Sequence, residues 1–565
     1  MLIIIHRYSF PFIGGIMVKK NPLLNVLAIC STVLALVTTA CSSAPAGNSG
    51  GQSSGSTSTS GSTEAAKPGG TLVFALNSDI VSLDPAFNYD FSTSPVVNEI
   101  TEGLCRYDEN MQLVGNLAEK WEMTDDKTYV YHLRKGVVFS DGSPMTVDDV
   151  VFSMERTRDP KTASYLSWLY GNVDKIEAVD DSTVKVTLKQ PDAMWRYATA
   201  TAATQIISKK YYEAHKDNFG KPDGGVLGTG PFKFVSWQTG SEIVLEKNEN
   251  YWDKTGGPYL DKVIYKVIPE GTTVITGLKT GQINMAINLP LDLVKVVEGM
   301  DSVNVQKVDS YMNDAIEFNT QRPPFTDKKV RQAMNYALDK QKIIDLLVHD
   351  NGIAGHAIPV PPALWTIGKA KWEAAFKEIP DYAYNLEKAK QLLAESSVPN
   401  GFSAKILTDN DGLRINSALA LQAAVKPLGI NLEIEKVTGE ELTTRGFSGS
   451  RDYDIIVNNW SSDFPDPSGT LLPLFHSDNA ADGGANYANY KNPEVDKLLA
   501  EQVRLTDDEK RADLLIQAAK LIADDSPWVM LSHNKQIMAT SKNVTGYKIV
   551  PLWSFQDMLK GVKLQ

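Results

Sequence analysis

The sequence predicts an α/β protein built from two lobes. The chain has 565 residues, more than one hydrophobic core usually organises, and 42% of them are hydrophobic, which is enough for a large interior. Strand-like and helix-like patterns alternate in both halves of the chain. Mixed elements of this kind favour two α/β lobes over a barrel or a helical bundle.

The charge of the chain argues against nucleic acid as a partner. The formal net charge is −12. The first forty residues carry three basic side chains and no acids, so the rest of the chain is more acidic still. A surface that binds nucleic acid would instead be basic. The charge alone does not identify a ligand.

Residues 1–40 have the pattern of a targeting segment. Lys19 and Lys20 form a basic region, and residues 23–37 form an apolar stretch that is too short to span a membrane comfortably. Small residues then precede Cys41. This pattern resembles a bacterial lipoprotein signal, which implies that Cys41 is lipidated and becomes the mature amino terminus. An uncleaved signal anchor is the alternative.

Residues 41–68 are predicted to be a flexible tether. They are rich in Ser, Gly and Thr and nearly devoid of apolar side chains, so they cannot bury enough surface to fold. A lipid, a tether and a globular body would place the body at the extracytoplasmic face of the cell membrane, within reach of a membrane partner. Cys105 is then the one cysteine left beyond Cys41, and no disulfide is expected.

The first half of the chain is predicted to be rich in strands. Thr146 is expected to cap the helix 147–156, since Asp148 and Asp149 follow in its first turn. The other predicted elements are a strand at 71–76, a helix at 96–104, strands at 129–133 and 137–139, a hairpin over 176–188, a strand at 263–267, a helix at 271–281 and a strand at 283–289.

The second half alternates more regularly between the two types of element. The predicted order is a strand at 315–320, a long helix at 327–348, a helix at 386–396, a strand at 403–408, a helix at 415–428, strands at 430–437 and 453–457, helices at 494–504 and 507–523, and strands at 529–532 and 544–549. The strand 453–457 is wholly apolar apart from its first two residues, so we expect it to be buried.

The loop after that buried strand is the first candidate binding site. Trp460 lies three residues before Asp463, and Pro465 and Pro467 stiffen the exit of the loop by fixing φ. A carboxylate beside an apolar ring on a rigid loop suits a small cation such as a primary ammonium group, because charge-assisted hydrogen bonds are strong. The alternative is that Asp463 merely caps a turn.

Motifs for catalysis or metal binding give little support to an enzyme. The chain contains no HExxH or CxxC motif, and its seven histidines show no metal-ligand spacing. Neighbouring acids such as Asp507 and Asp508 suit helix starts better than a catalytic pair. A secreted hydrolase is therefore the less favoured hypothesis, and neither a cofactor nor a metal is expected.

Longer motifs resemble those of extracytoplasmic solute-binding proteins of the peptide/nickel class, which supply ABC importers. The resemblance covers nearly all of residues 69–565 and is most specific between residues 117 and 153. The other matching segments are 228–232, 318–320, 323–325 and 330–333.

The resemblance implies a non-enzymatic binding protein with a two-lobed periplasmic-binding-protein-like fold of type II, in the large peptide-binding class. One lobe would contain residues 69–316 and 534–565, and the other would contain residues 317–533. A hinge of crossing strands would close the lobes over the ligand. The protein is expected to act as a monomer that delivers its ligand to ABC permease subunits.

The same resemblance implies roles for particular residues. Asp463 would receive the α-ammonium group of a peptide beside Trp460. The backbone at Asn459 and Ser461 would pair with the peptide as an added strand.

Two further contacts are implied for the remainder of the peptide. The opposite lobe would meet it through the loop near Asn88, Tyr89, Asp90 and Phe91. Dipeptide-binding members of the family receive the peptide carboxylate on an arginine in the loop after the strand at 403–408, but this chain has residues 408–411 (TDND) there. Either Arg414, a few residues later, takes that role, or a longer peptide runs past the position. We favour the second, and therefore oligopeptides or a broad range of peptides. The alternatives for the ligand are a nickel chelate, glutathione or an oligosaccharide, and the alternative for the role is a peptide sensor.

Overall fold

A computed structural model gives the structure of residues 69–88 and 90–565. The predictions for residues 1–68, which include Cys41, and for Tyr89 lie outside the described residues. Within the described residues, no helix is both long enough and apolar enough to cross a membrane.

The strands and helices follow the alternation expected from the sequence. The strands are β1 Thr71–Leu76, β2 Cys105–Tyr107, β3 Leu113–Gly115, β4 Ala118–Asp125, β5 Thr128–Leu133, β6 Val173–Asp180, β7 Thr183–Leu188, β8 Phe232–Gln238, β9 Glu242–Lys247, β10 Lys262–Val267, β11 Met285–Ile287, β12 Val303–Asp309, β13 Met312–Phe318, β14 Gly352–Ala354, β15 Ser403–Thr408, β16 Asn431–Lys436, β17 Ile455–Ser461, β18 Trp528–Ser541, β19 Val544–Thr545 and β20 Lys563–Leu564.

The α-helices lie between these strands. They are α1 Ser94–Val97, α2 Val147–Arg158, α3 Trp195–Ala198, α4 Lys209–Ala214, α5 Gly271–Thr280, α6 Leu291–Glu298, α7 Lys328–Ala337, α8 Lys340–Ile343, α9 Lys369–Glu378, α10 Leu386–Ala394, α11 Gly412–Val425, α12 Gly439–Phe447, α13 Ser468–Phe475, α14 Pro493–Val503 and α15 Asp508–Asp525.

A twelve-stranded mixed sheet connects the two halves of the molecule, in the order β16-β15-β17-β13-β18-β11-β1-β10-β9-β8, with β12 and β14 also paired to β18. One end of β18 pairs with β13, and its other end pairs with β12 and β11, always antiparallel. The chain passes between the halves at two adjacent places. One is β18 itself, and the other is the short connection from β12 to β13. The two places touch where Ser310 Oγ donates a hydrogen bond to the Asn534 carbonyl.

A second sheet, in the order β4-β5-β7-β6, packs elsewhere on the molecule. Tyr131, on strand β5 of this sheet, belongs to the same hydrophobic core as Trp372 and Phe464 from the second half of the chain. The interior of this sheet is therefore continuous with that of the second half of the chain.

Strand β18 is much longer than the predicted strand 529–532. The polar run that begins at Ser532 resembles a strand end, yet every residue of β18 except Lys535 is buried. The polar side chains are accommodated because they bond across the sheet: His533 Nδ1 lies 2.8 Å from Asn313 Oδ1, and Ser532 Oγ donates to Asp314 Oδ2 at 3.2 Å.

Two predicted helices are shorter than expected. The helix predicted at 96–104 is a single turn, Ser94–Val97. The helix predicted at 327–348 breaks after Ala337, because Leu338 is extended and Asp339 accepts a hydrogen bond from Lys342 N as the cap of a new helix. In contrast, the prediction at 147–156 is confirmed, with Thr146 and Asp149 forming a reciprocal capping box.

Candidate functional site

Two adjoining cavities lie where the two halves of the large sheet meet. The larger has a volume of about 740 Å³, and the smaller has a volume of about 150 Å³. Phe91, Met312 and Asn459 line both cavities, so the two spaces are neighbours in one cleft.

The smaller cavity combines two carboxylates with aromatic rings. Asp90 and Asp463 line it together with Phe91, Trp460 and Phe555. No lysine, arginine or histidine is found among the described residues of its wall. Carboxylates and ring faces both attract a cation, so this wall is suited to a small positively charged group.

The loop that carries Asp463 is held by contacts to its own backbone. Trp460 Nε1 donates to the Gly469 carbonyl at 3.1 Å, which closes the loop over nine residues. A Cβ at Gly469 would lie 2.0 Å from Ser462 Oγ, and that hydroxyl donates to the Phe464 carbonyl. A larger residue at 469 would therefore displace the Ser462 hydroxyl from its hydrogen bond to Phe464.

A buried ion pair fixes the far end of the same loop. Asp466 and Arg511 have no exposed side-chain surface, and they form two hydrogen bonds of 2.8 and 3.0 Å. Burial acts to raise the pKa of Asp466, but the Arg511 guanidinium outweighs it and holds that pKa below its usual value. Asp466 is therefore a charged anchor for the Asp463 loop.

The opposite wall of the smaller cavity is formed by the segment before α1. Asp90 Oδ1 accepts hydrogen bonds from Ser92 N and Thr93 N at 2.9 and 2.8 Å. Phe91 packs against Trp553, with ring centroids 5.5 Å apart. These contacts present the Asp90 carboxylate and the Phe91 ring to the cavity.

Asn88 does not reach either cavity. Its side chain is fully buried, donates to Asn98 Oδ1 at 3.0 Å and accepts from Ser94 Oγ at 2.9 Å. The loop predicted to meet the ligand instead reaches the cleft through Asp90 and Phe91, its next described residues.

Strand β17 offers an open backbone edge beside the smaller cavity. It pairs with β13 along its whole length, from Ile455 to Ser461. On its other side, β15 pairs only with Ile455 and Ile456. Residues 458–461, which include Asn459, therefore project beyond the end of β15, where an added strand can bind.

The larger cavity contains Arg414, but another residue of the chain already holds its guanidinium. Arg414 Nε and Nη2 donate to the two carboxylate oxygens of Asp409 at 2.9 and 2.7 Å. Burial acts to raise the pKa of Asp409, yet this pairing lowers it below the usual value. Most of the positive charge of Arg414 is thus compensated within the protein.

A buried carboxylate that the sequence did not indicate, Asp314 on β13, also lines the larger cavity. It is 4% exposed and accepts hydrogen bonds from Ser532 Oγ and from Asn534 Nδ2 at 3.2 and 2.5 Å. Burial raises its pKa to about 7, and the nearby negative charge of Asp411 adds to the increase.

Comparison with known proteins identifies the family. Residues 112–482, well over half of the chain, match the family model described as bacterial extracellular solute-binding proteins, family 5. The chain belongs to this family.

Relatives of this solute-binding protein have different named ligands. The glutathione-binding protein GsiB of Pectobacterium atrosepticum is 30% identical, with 86% of this chain and 93% of the relative covered. Heme-binding protein A of Haemophilus influenzae is 32% identical, with 91% and 94% covered. The periplasmic binding protein DppA of Helicobacter pylori, solved with the peptide STSA, has a TM-score of 0.77 and 29% identity over 88% of this chain and 98% of that one.

These similarities confirm the predicted family, the two-lobed α/β fold and the absence of enzymatic activity. The protein is an extracellular substrate-binding component of an ABC importer. The named ligands differ among relatives, so family membership does not select one for this chain.

Most of the predicted site residues of this solute-binding protein lie in the cleft. Asn459, Trp460, Ser461 and Asp463 line the smaller cavity, and Arg414 lines the larger one. Asp90 and Phe91, from the loop predicted to face the ligand, also line the smaller cavity. The sequence did not indicate the further lining residues Met312, Asp314 and Phe555. The binding roles of all these residues stay predictions.

Proposed function

We propose that this solute-binding protein captures peptides by their α-ammonium group and delivers them to an ABC permease. The observation that carries the proposal is the composition of the smaller cavity, where Asp463 and Asp90 face aromatic rings and the described wall has no basic side chain. A free amino terminus provides the small cation that this wall favours.

The backbone edge of β17 favours a peptide over other amines as the ligand. An extended peptide that begins at Asp463 would add a strand beside Asn459 and Ser461, and its remaining residues would enter the larger cavity of about 740 Å³. Arg414 is already paired with Asp409, which favours peptides that run past it over dipeptides whose carboxylate would need it.

The cellular arrangement proposed here follows from the amino-terminal sequence. Lipidation of Cys41 and the tether of residues 41–68 would hold a monomeric body at the outer face of the membrane. One lobe would comprise residues 69–316 together with 534–565, and the other lobe would comprise residues 317–533. No nucleic acid is involved.

Calorimetric titration of the ligand-stripped protein tests the proposal. We expect short peptides with free amino termini to bind, and both amino-terminal acetylation and Asp463→Asn to weaken binding about 10- to 100-fold, because a hydrogen bond to a charged group contributes about 1.5–3 kcal/mol. Asp301→Asn is the control, since Asp301 is exposed and lines neither cavity.

Equal binding of free and acetylated peptides would contradict the proposal. Glutathione is included in the same titration, because relatives about 30% identical carry the name of glutathione-binding proteins. Binding of glutathione alone would replace the broad peptide assignment with that narrower one.

A further inference from the structure

The larger cavity contains a place for a second cation. We propose that the preferred ligands are peptides with a basic side chain, which binds at Asp314. This inference rests on the proposed function, because it assumes that the ligand enters with its amino terminus at Asp463.

The backbone holds Asp314 firmly at the cavity wall. Its strand, β13, lies between two others, so that Asp314 is opposite Asn459 of β17 and Ser532 of β18. This pairing holds the backbone of Asp314, although the register with β18 shifts between Asp314 and Ala315. Hydrogen bonds from Ser532 Oγ and Asn534 Nδ2 hold the carboxylate itself at the wall. The carboxylate is thus a fixed part of the binding wall.

One acceptor in this wall has no donor of its own. Both hydrogen bonds to Asp314 end on Oδ2, and Oδ1 accepts none from the part of the chain that the structure describes. A lysine ammonium has three donors and an arginine guanidinium has five, so either group can donate to this oxygen.

The charges that face Asp314 do not neutralise it. Arg414 is held by Asp409, and Asp411 adds negative charge from the cap of α11. The other charged residues of this wall are Lys535 and Asp292. With Arg414 compensated by its own partner, acids exceed bases at the surface that a ligand meets.

The distance from the proposed ammonium site limits the position of the basic residue. Asn459 is opposite Asp314 in the register of the two strands, and Asp463 follows Asn459 by four residues, a span of at most about 14 Å. An extended peptide advances about 3.3 Å per residue. The basic side chain therefore belongs within roughly the first four residues of the peptide.

The simpler explanation is that Asp314 is structural and only joins β13 to β18. The two explanations differ in how they depend on ligand charge. A structural Asp314 affects all peptides alike, whereas a binding Asp314 distinguishes a charged side chain from an uncharged one of similar length.

The experiment compares pentapeptides that contain lysine or norleucine at the second, third or fourth position. We expect at least one lysine peptide to bind at least tenfold more tightly than its norleucine counterpart. In Asp314→Asn the ratio should fall to about one, while the norleucine peptide keeps its affinity. Asp301→Asn, which removes an exposed acid that lines neither cavity, should preserve the ratio.

A second readout does not depend on any variant. Binding of a cation favours the ionised form of Asp314, so the lysine peptide should release protons near pH 7, seen as a calorimetric heat that varies with the buffer, and the norleucine peptide should not. The lysine preference should accordingly weaken as the pH falls from 8 to 6.

Several results would overturn the inference. These are equal affinities of the lysine and norleucine peptides for wild type, a ratio unchanged in Asp314→Asn, or equal losses in Asp314→Asn and Asp301→Asn. If norleucine peptides bind and acetylation abolishes their binding, the proposed function stands while this inference fails. If no peptide binds, both fail.

Discussion

Two buried carboxylates near the cleft have opposite surroundings. Asp466 is bound on both oxygens by Arg511, and its pKa is lowered despite its burial. Asp314 has only uncharged donors, and burial raises its pKa to about 7. The chain neutralises the carboxylate that anchors a loop and leaves uncompensated the one that lines a cavity. Since an uncompensated buried charge is costly, a ligand cation gains most at the second position.

The largest effect is expected from removing the cation of the compensated pair. Arg511→Met removes both guanidinium hydrogen bonds from the buried Asp466, whose other cation, Arg196, lies 4.0 Å away. This change should lower the free energy of unfolding by about 3–5 kcal/mol. Chemical denaturation at pH 7 measures this change. The double variant Arg511→Met/Asp466→Asn should recover part of the loss, because the stranded charge is gone.

An exposed pair provides the matched control for that experiment. Lys520 and Glu378 are 2.7 Å apart, with side chains 43% and 66% exposed. Lys520→Met should cost less than about 1 kcal/mol, since water screens exposed pairs. If Arg511→Met cost no more than Lys520→Met, the pair would not be the anchor described here.

A smaller effect, opposite in its pH dependence, is expected at Asp314. Its folded-state pKa of about 7 lies above the unfolded value of about 3.9, so the wild type loses stability as the pH rises between these values, and the loss levels off above the folded-state pKa. Asp314→Asn removes this loss. Relative to wild type, the variant should gain about 2–3 kcal/mol in unfolding free energy between pH 5 and pH 8.

Asp466→Asn tests the sign of that argument. The folded-state pKa of Asp466 is lowered, so the stability it contributes is present above its unfolded pKa and is lost as the pH falls through the folded value. The deficit of Asp466→Asn should therefore shrink in acid. The same pH trend in both variants would show that the two carboxylates do not differ as described.

The smallest effect concerns Asp90, a partly exposed carboxylate of the smaller cavity. Asp90→Asn keeps an acceptor for Ser92 N and Thr93 N but loses the charge. We expect affinity for free-amino peptides to fall about two- to fivefold, because screened charges contribute less than about 1 kcal/mol. Titration beside Asp463→Asn measures the ranking, and a larger loss at Asp90 would reverse the proposed roles.

The sequence was informative where the physical cause is local. Asp463 and Trp460 lie on one loop, and two prolines and an apolar strand mark that loop within fifteen residues. The strand Ser403–Thr408 is confirmed at both ends, because its apolar run is bounded by turn residues. The resemblance to the family also rests on contiguous motifs, which can be recognised without knowledge of the fold, and it predicted the fold correctly.

The sequence was uninformative where the cause joins distant parts of the chain. Asp314 acquires its surroundings from Ser532 and Asn534, more than two hundred residues away. The full length of β18 was missed for the same reason, since its polar residues resemble a strand end until their partners are known. Arg414 showed its charge but not its pairing with Asp409.

The continuity of β18 has a consequence for ligand release. This strand passes from one half of the sheet to the other, and Asn534, which grips Asp314, lies at its midpoint. The same strand therefore joins the two halves of the sheet and forms part of the wall of the larger cavity. We expect that a permease that changed the angle between the two halves would also displace Asn534 relative to Asp314 and so alter the wall of the larger cavity.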